Sequence, residues 1–111
     1  MSEKQIKNLK HEEILVLSEL VSVQEGQVVS KTLVQNEALS ITLFAFDKGE
    51  EISTHESGGD AMVTVLEGTG KFTVDKKEYL VSAGQTLVMP AKKPHAVYGQ
   101  ESFKMSLVVV F

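Results

Sequence analysis

Residues 54–68 read THESGGDAMVTVLEG and residues 89–99 read MPAKKPHAVYG. Each segment carries one histidine, His55 and His95, ahead of or inside an apolar run that has the length of a strand. Two imidazoles brought together have three uses. They hold a divalent transition metal, they act as an acid–base pair, or they anchor a polar ligand by hydrogen bonds. Without a metal they titrate as a coupled pair near neutral pH. In a strand, residues i and i+2 share a face. Ser57 is therefore expected beside His55, with Glu56 pointing away. Asp60 follows the Gly58–Gly59 pair and precedes Ala61. As the nearest carboxylate on a flexible hinge, it is the candidate third ligand, although plain alternation aims it away from Ala61. Tyr98 is a candidate acid near His95, and a buried tyrosine with a structural hydrogen bond is the plainer reading. Ser57 as a nucleophile would need an orienting third group and an oxyanion hole, which the sequence does not supply, so a hydrolase triad is rejected. His11 lies among charges and is read as solvent-exposed.

The elements that must position these residues are strands. From about residue 27 the chain alternates short apolar runs with turn residues. Strands are expected over Gln27–Val34, Leu39–Phe46, Ile52–His55, Met62–Leu66, Lys71–Val74, Glu78–Val81, Thr86–Met89, His95–Tyr98 and Phe103–Phe111. Pro90 stops one of them because it has no N–H for a ladder. Asp75-Lys76-Lys77 is read as a hairpin turn. About nine or ten strands at this spacing indicate a sandwich or closed barrel. Glu12–Val21 reads equally as a helical turn or an edge strand. The last strand, MSLVVVF, is apolar on both faces, so it needs cover on both. The N-terminal segment can supply that cover, and so can a second subunit.

Composition narrows the function classes. The chain has 111 residues, 42% of them apolar, which fits one domain with one core. Net charge is −4, so there is no basic field for a phosphate backbone, and nucleic-acid binding is not expected. No cysteine is present, which removes disulfides, thiolate nucleophiles and cysteine-based zinc sites and fits a cytoplasmic protein. No apolar run approaches the roughly 20 residues that span a bilayer, so no membrane partner is expected. All 11 basic residues are lysines. Any anion must therefore be held by lysine or backbone N–H groups rather than by the planar fork of arginine. Lys92 and Lys93, beside Pro94-His95, would attract an acidic ligand; a solvated turn is the preferred reading.

The spacing of the two histidine segments resembles the paired motifs of the cupin family. The first motif is Gly49, five residues, His55, one residue, Ser57, then Ala61, six residues, and Gly68. The second is Gly84, five residues, Pro90, one residue, Lys92, two residues, His95, three residues, and Gly99. The resemblance covers roughly residues 39–111. It implies an all-β fold: an antiparallel jelly-roll barrel filling 1–111 as a single domain, with 1–26 packed on or swapped over the barrel and 27–111 forming it. It also implies a homodimer and a site in the barrel mouth. In metal-bearing cupins, two histidines and a glutamate of the first motif join one histidine of the second. Here His55 and His95 match, while Ser57 and Ala61 stand where a histidine and the glutamate would be. Lys92 and Gly99 replace the second motif's usual Gly and Asn.

The expected pocket comprises His55, Ser57, Ala61, His95, Tyr98 and Met105, with His55, His95 and Asp60 as the possible ligands of one divalent transition metal (Zn, Mn, Fe or Ni). The primary expectation is a small metabolite bound in the mouth near His55 and His95. Two alternatives follow from the resemblance. One is a metal-dependent isomerase or dioxygenase, with the metal as Lewis acid. The other is a metal-free epimerase or isomerase, with a histidine base and Tyr98 as acid. Whether the chain is an enzyme at all is left open by the sequence.

Overall fold

The computed structural model describes residues 4–111. Nine strands follow a single 3-10 turn, η1 (Leu17–Glu19): β1 (Val28–Gln35), β2 (Leu39–Phe46), β3 (Glu51–His55), β4 (Asp60–Glu67), β5 (Thr69–Val74), β6 (Lys77–Ser82), β7 (Thr86–Met89), β8 (His95–Gly99) and β9 (Phe103–Val110). They form two antiparallel sheets, ordered β1-β2-β9-β4-β7 and β3-β8-β5-β6. The sheets face each other across one core, the jelly-roll arrangement that the resemblance implied. None of the described helices is long and apolar enough to cross a membrane.

Strand alternation determines what each face buries. On β4, Ala61, Val63 and Val65 point inward and are almost wholly buried. On β9, Phe103, Met105 and Val109 do the same. From the opposite sheet come Phe72, Val74, Val81 and Val97. One end of the barrel is filled by aromatics: Phe46 stacks on Phe103 at 4.6 Å between ring centroids, and Phe72 meets Phe103 edge-on at 6.0 Å.

The two faces of β2 have different partners. Phe44 and Phe46 turn into the barrel, while Leu39, Ile41, Leu43 and Ala45 turn outward. The N-terminal segment covers that outward row with Leu9, Leu20, Val21 and Val23. Lys104 secures the segment, donating from Nζ to the Ser18 carbonyl at 2.6 Å. Of the two readings of Glu12–Val21, the helical turn applies to its middle only, and the rest is irregular. Cover for the β2 face is thus intramolecular.

The turns follow their residues. Asp75 and Lys76 both have positive φ, 47° and 76°, the primed geometry that suits a two-residue hairpin between twisted strands. Gly68, which ends the first motif, has φ of 72°, and a Cβ there would run into the Ser102 carbonyl.

Candidate functional site

Antiparallel pairing of β3 with β8 places His55 directly opposite His95. The register explains how. Ile52 opposes Val97, so unbroken pairing would set Thr54 against His95. A β-bulge between Ile52 and His55 inserts one extra residue, and a one-residue shift transfers a side chain to the other face of a strand. The bulge therefore turns His55 onto the face that His95 occupies. The two rings meet edge-to-face, with centroids 4.2 Å apart and planes at 70°. His95 is 4% exposed, on the same face of β8 as the core residue Val97, whereas His55 lies in the open.

Each ring is held the same way. His55 Nδ1 lies 2.8 Å from the Ser53 carbonyl, and His95 Nδ1 lies 3.1 Å from the Lys93 carbonyl. A carbonyl can only accept, so in both neutral rings the proton belongs on Nδ1 and the lone pair on Nε2. The site is a pair of imidazoles with two bare Nε2 acceptors. Burial pushes the His95 pKa down, its bond to the Lys93 carbonyl pushes it up, and the neighbouring His55 lowers it further, with a net fall below the usual value.

The other expected site residues are arranged differently. β3 ends at His55, so Ser57 is not on a strand beside it. The Ser57 hydroxyl turns back on its own loop, donating to the Gly59 carbonyl at 3.1 Å and accepting from the Gly59 N–H at 3.2 Å. Asp60 is the first residue of β4 and points opposite to Ala61, as plain alternation requires. Its carboxylate accepts the Ala91 N–H at 2.8 Å. The Lys92 N–H donates to the Ser57 carbonyl at 2.8 Å. Ser57 and Asp60 thus join the β3–β4 loop to the β7–β8 loop, and the Asp60 carboxylate is turned to the Ala91 N–H.

Lys92 also explains the glycine usual at its motif position. Its φ is 66°, a conformation that costs a side-chain-bearing residue about 1–2 kcal/mol. Gly99, where the motif usually has Asn, packs so closely that a Cβ would sit 2.8 Å from the Asp47 carbonyl.

Tyr98 is a further correction. On β8 the residues His95, Val97 and Gly99 face inward, so Tyr98 is on the outer face. There its ring lies under the Lys71 ammonium, 5.1 Å from Nζ to the centroid. It is not positioned as an acid partner of His95, which removes the metal-free His/Tyr mechanism. Met105 belongs to the packed core, paired with Phe44 and Val65, four residues along β9 from Val109, which is the residue opposite Ala61. It lines the interior and not the mouth.

Among the described residues no three of His, Asp, Glu or Cys converge. The donor set at the mouth is two imidazole nitrogens, with the Ala61 methyl in place of a carboxylate. Catalytic zinc sites keep three protein ligands and facial-triad iron sites keep two histidines and a carboxylate, so this set fits neither.

Two clefts are lined by other residues. One, of about 540 Å³, lies between Lys4–Asn8 and β1. The other, of about 350 Å³, lies between the β5–β6 hairpin and the end of β7, with Lys93 on its rim. Neither cleft is among the sites expected from the sequence. For the second, the signal in the sequence was the recurrence of a Lys-Lys pair at 76–77 and 92–93.

Comparison with known proteins agrees with this fold. Residues 42–111 match the Cupin_2 family, described as a cupin domain. The chain is similar to a conserved protein of unknown function from Streptococcus pyogenes, with 48% identity, TM-score 0.97, and 99% of this chain and 96% of that one covered. A cupin superfamily protein from Desulfitobacterium hafniense has 34% identity and TM-score 0.92 over 97% of this chain and 99% of that one. A cupin 2 conserved barrel domain protein from Leptotrichia buccalis has 47% identity and TM-score 0.84 over 85% of this chain and 46% of that one. No curated protein matches the chain.

Proposed function

The chain belongs to the cupin-domain family, and from that premise we propose that it binds a small metabolite at the barrel mouth through His55 and His95. The observation that carries this reading is the pair of Nδ1–carbonyl bonds on two rings whose centroids are 4.2 Å apart, which leaves the Nε2 of each ring free to accept. Two neutral acceptors on adjacent rings suit a molecule that donates hydrogen bonds, such as a hydroxy acid or a sugar. One anchor is buried and one is open, so the ligand enters past His55 and rests on His95.

A divalent transition metal on the same two nitrogens is the second reading. A metal-bound imidazole usually donates its other N–H to a carbonyl or carboxylate, and both rings have that arrangement. His55 and His95 would hold the ion, which would supply Lewis-acid character. The protein set is still one short of three ligands, so no catalytic step is derived through a metal.

A thermal-shift screen of sugars and hydroxy acids, run beside Zn, Mn, Fe and Ni salts, separates the two. A hydroxylated ligand is expected to raise the melting temperature of the native chain. His55→Ala, which removes one hydrogen bond worth about 1–1.5 kcal/mol, is expected to weaken that binding roughly tenfold. A screen in which no sugar or acid shifts melting would remove the ligand reading. Stoichiometric metal in the purified protein, lost with His55→Ala, would put the metal first.

We also propose a homodimer. Eight of the nine exposed large apolar side chains among the described residues fall in two places: Ile6, Ile14, Val16 and Leu17 on the N-terminal segment, and Met62, Val88, Val110 and Phe111 around the β4–β7 side of the larger sheet. Ile14 is fully exposed, and the N-terminal segment covers the neighbouring β2 part of that sheet. Each copy therefore offers an apolar arm and an apolar face, the two halves of a self-complementary interface. Sedimentation is expected to give twice the chain mass, and Ile14→Glu to lower it towards the monomer. A monomeric native chain at tens of micromolar, a range set by millimolar-to-micromolar affinities, would rule this out.

A further inference from the structure

Four of the eleven lysines of this acidic chain lie in two loops at one end of the barrel. Lys76 and Lys77 sit at the β5–β6 turn, and Lys92 and Lys93 in the β7–β8 loop. The Asp75 N–H donates to the Pro94 carbonyl at 2.9 Å, so the two loops are tied together. The 350 Å³ cleft lies between them, at the seam where β6 and β7, the edge strands of the two sheets, face each other. That volume is near the lower end of the ~300–1,000 Å³ typical of small-molecule sites.

Its lining combines two kinds of group. Val74, Tyr79 and Leu87 supply an apolar wall, while Lys77 and Lys93 supply two ammonium groups. Among the described residues the ion pairs are Lys71 with Glu78 and Lys104 with Glu67, and neither Lys77 nor Lys93 takes part. Lys77 Nζ stands 5.2 Å from the centre of the Tyr79 ring, so one cation already overlies the aromatic wall. Asp75 also borders the cleft, leaving a net positive lining. The cleft adjoins the histidine pair. Val74 is the residue opposite His95 in the β5–β8 ladder, and the Lys93 backbone carbonyl holds the His95 ring.

We propose that this cleft is an acid subsite, taking the carboxylate end of a small molecule with a flat or short apolar body. The carboxylate lies between the Lys77 and Lys93 ammonium groups, and the body rests on Tyr79 and Leu87. The assignment names the chemical class of ligand for the mouth and rests on the ligand-binding reading of the adjacent histidines. Charge complementarity carries it: an open cleft with an apolar wall and two cations that form no ion pair among the described residues selects a small organic anion over a neutral molecule of the same shape. Because lysine acts as a point charge and these heads are exposed, the binding must weaken with salt.

Benzoate and benzamide, nearly the same in shape and differing in charge, are the probes. Benzoate is expected to shift the amide resonances of Lys77, Tyr79 and Lys93 in a saturable titration, and benzamide to bind at least tenfold more weakly. Raising the salt concentration should weaken benzoate alone. Lys77→Met with Lys93→Met keeps the apolar stems and should reduce benzoate affinity at least tenfold. Benzoate has no hydroxyl for the histidine pair, so its binding reports on the lysine cleft alone, and failure of the histidine reading is seen separately in the screen of sugars and hydroxy acids. Equal binding of benzamide, no saturable benzoate binding, or an unchanged affinity in the double lysine variant would overturn the proposal.

Discussion

Phe103→Ala is expected to destabilise the protein by about 3–5 kcal/mol, the range for truncating a fully buried phenylalanine. Phe103 is 1% exposed and touches aromatic partners on two sides, stacked on Phe46 at 4.6 Å and edge-on to Phe72 at 6.0 Å. Phe46 and Phe103 belong to the larger sheet and Phe72 to the smaller, so the ring joins the two sheets as well as filling space. The backbone cannot move in to fill the void cheaply. Gly70 already lies against the Phe103 ring, close enough that a Cβ there would sit 2.7 Å from it. At roughly 4–8 °C per kcal/mol for a domain of this size, the melting temperature should fall on the order of 20 °C. Urea denaturation tests this, with the midpoint lowered and the slope unchanged. Leu80→Ala, at a position 61% exposed, is the control and should change stability by less than about 0.5 kcal/mol. A Phe103→Ala loss below about 1 kcal/mol would mean that the aromatic end does not hold the sheets together.

The parts of the fold that were legible in the sequence depend on period-2 alternation and turn chemistry. β2 and β7 have the expected ends, Leu39–Phe46 and Thr86–Met89, because apolar runs there meet turn residues or proline directly. β4 begins two residues earlier than its apolar run, since Asp60 and Ala61 pair with Val110 and Val109 and tertiary pairing extends the strand. The histidine pairing was legible through motif spacing, but its cause was not. A bulge depends on how two distant strands align, and no residue in EISTH announces it. The same limit explains Ser57 and Asp60. Their types suit metal ligation and loop bridging equally, and only the approach of Ala91 and Lys92 from the other loop decides between them. Tyr98 is a different case. Counting three residues on from His95 places it on the opposite face, and alternation alone was enough to exclude it from the pocket.

Acidification through the histidine range should weaken both folding and ligand binding, and His95 is the residue that makes it so. In the folded chain its pKa lies below the usual 6.5, first because burial disfavours the charged ring and further because His55 faces it; the Lys93 carbonyl bond only partly opposes this. In the unfolded chain both causes vanish. Above about pH 6.5 the ring is neutral in both states and stability is fully present. As pH falls from there towards the folded-state value, the unfolded chain takes up the proton first, so stability declines across that window and levels off below it. Asp47 also has a lowered pKa, chiefly from the Gly26 N–H, but a carboxylate titrates below the usual 3.8 and acts in a separate, more acid window. Binding follows the same direction, because a protonated Nε2 can no longer accept a hydrogen bond. His95→Gln keeps a polar side chain that does not titrate. It is expected to be less stable than the native chain near neutral pH and to lose the decline that sets in as pH falls below about 6.5. Urea midpoints of both proteins across that range decide the matter. A native chain whose stability is flat or rises on acidification there, or a His95→Gln variant that retains the full decline, would show that the buried imidazole is not the group responsible.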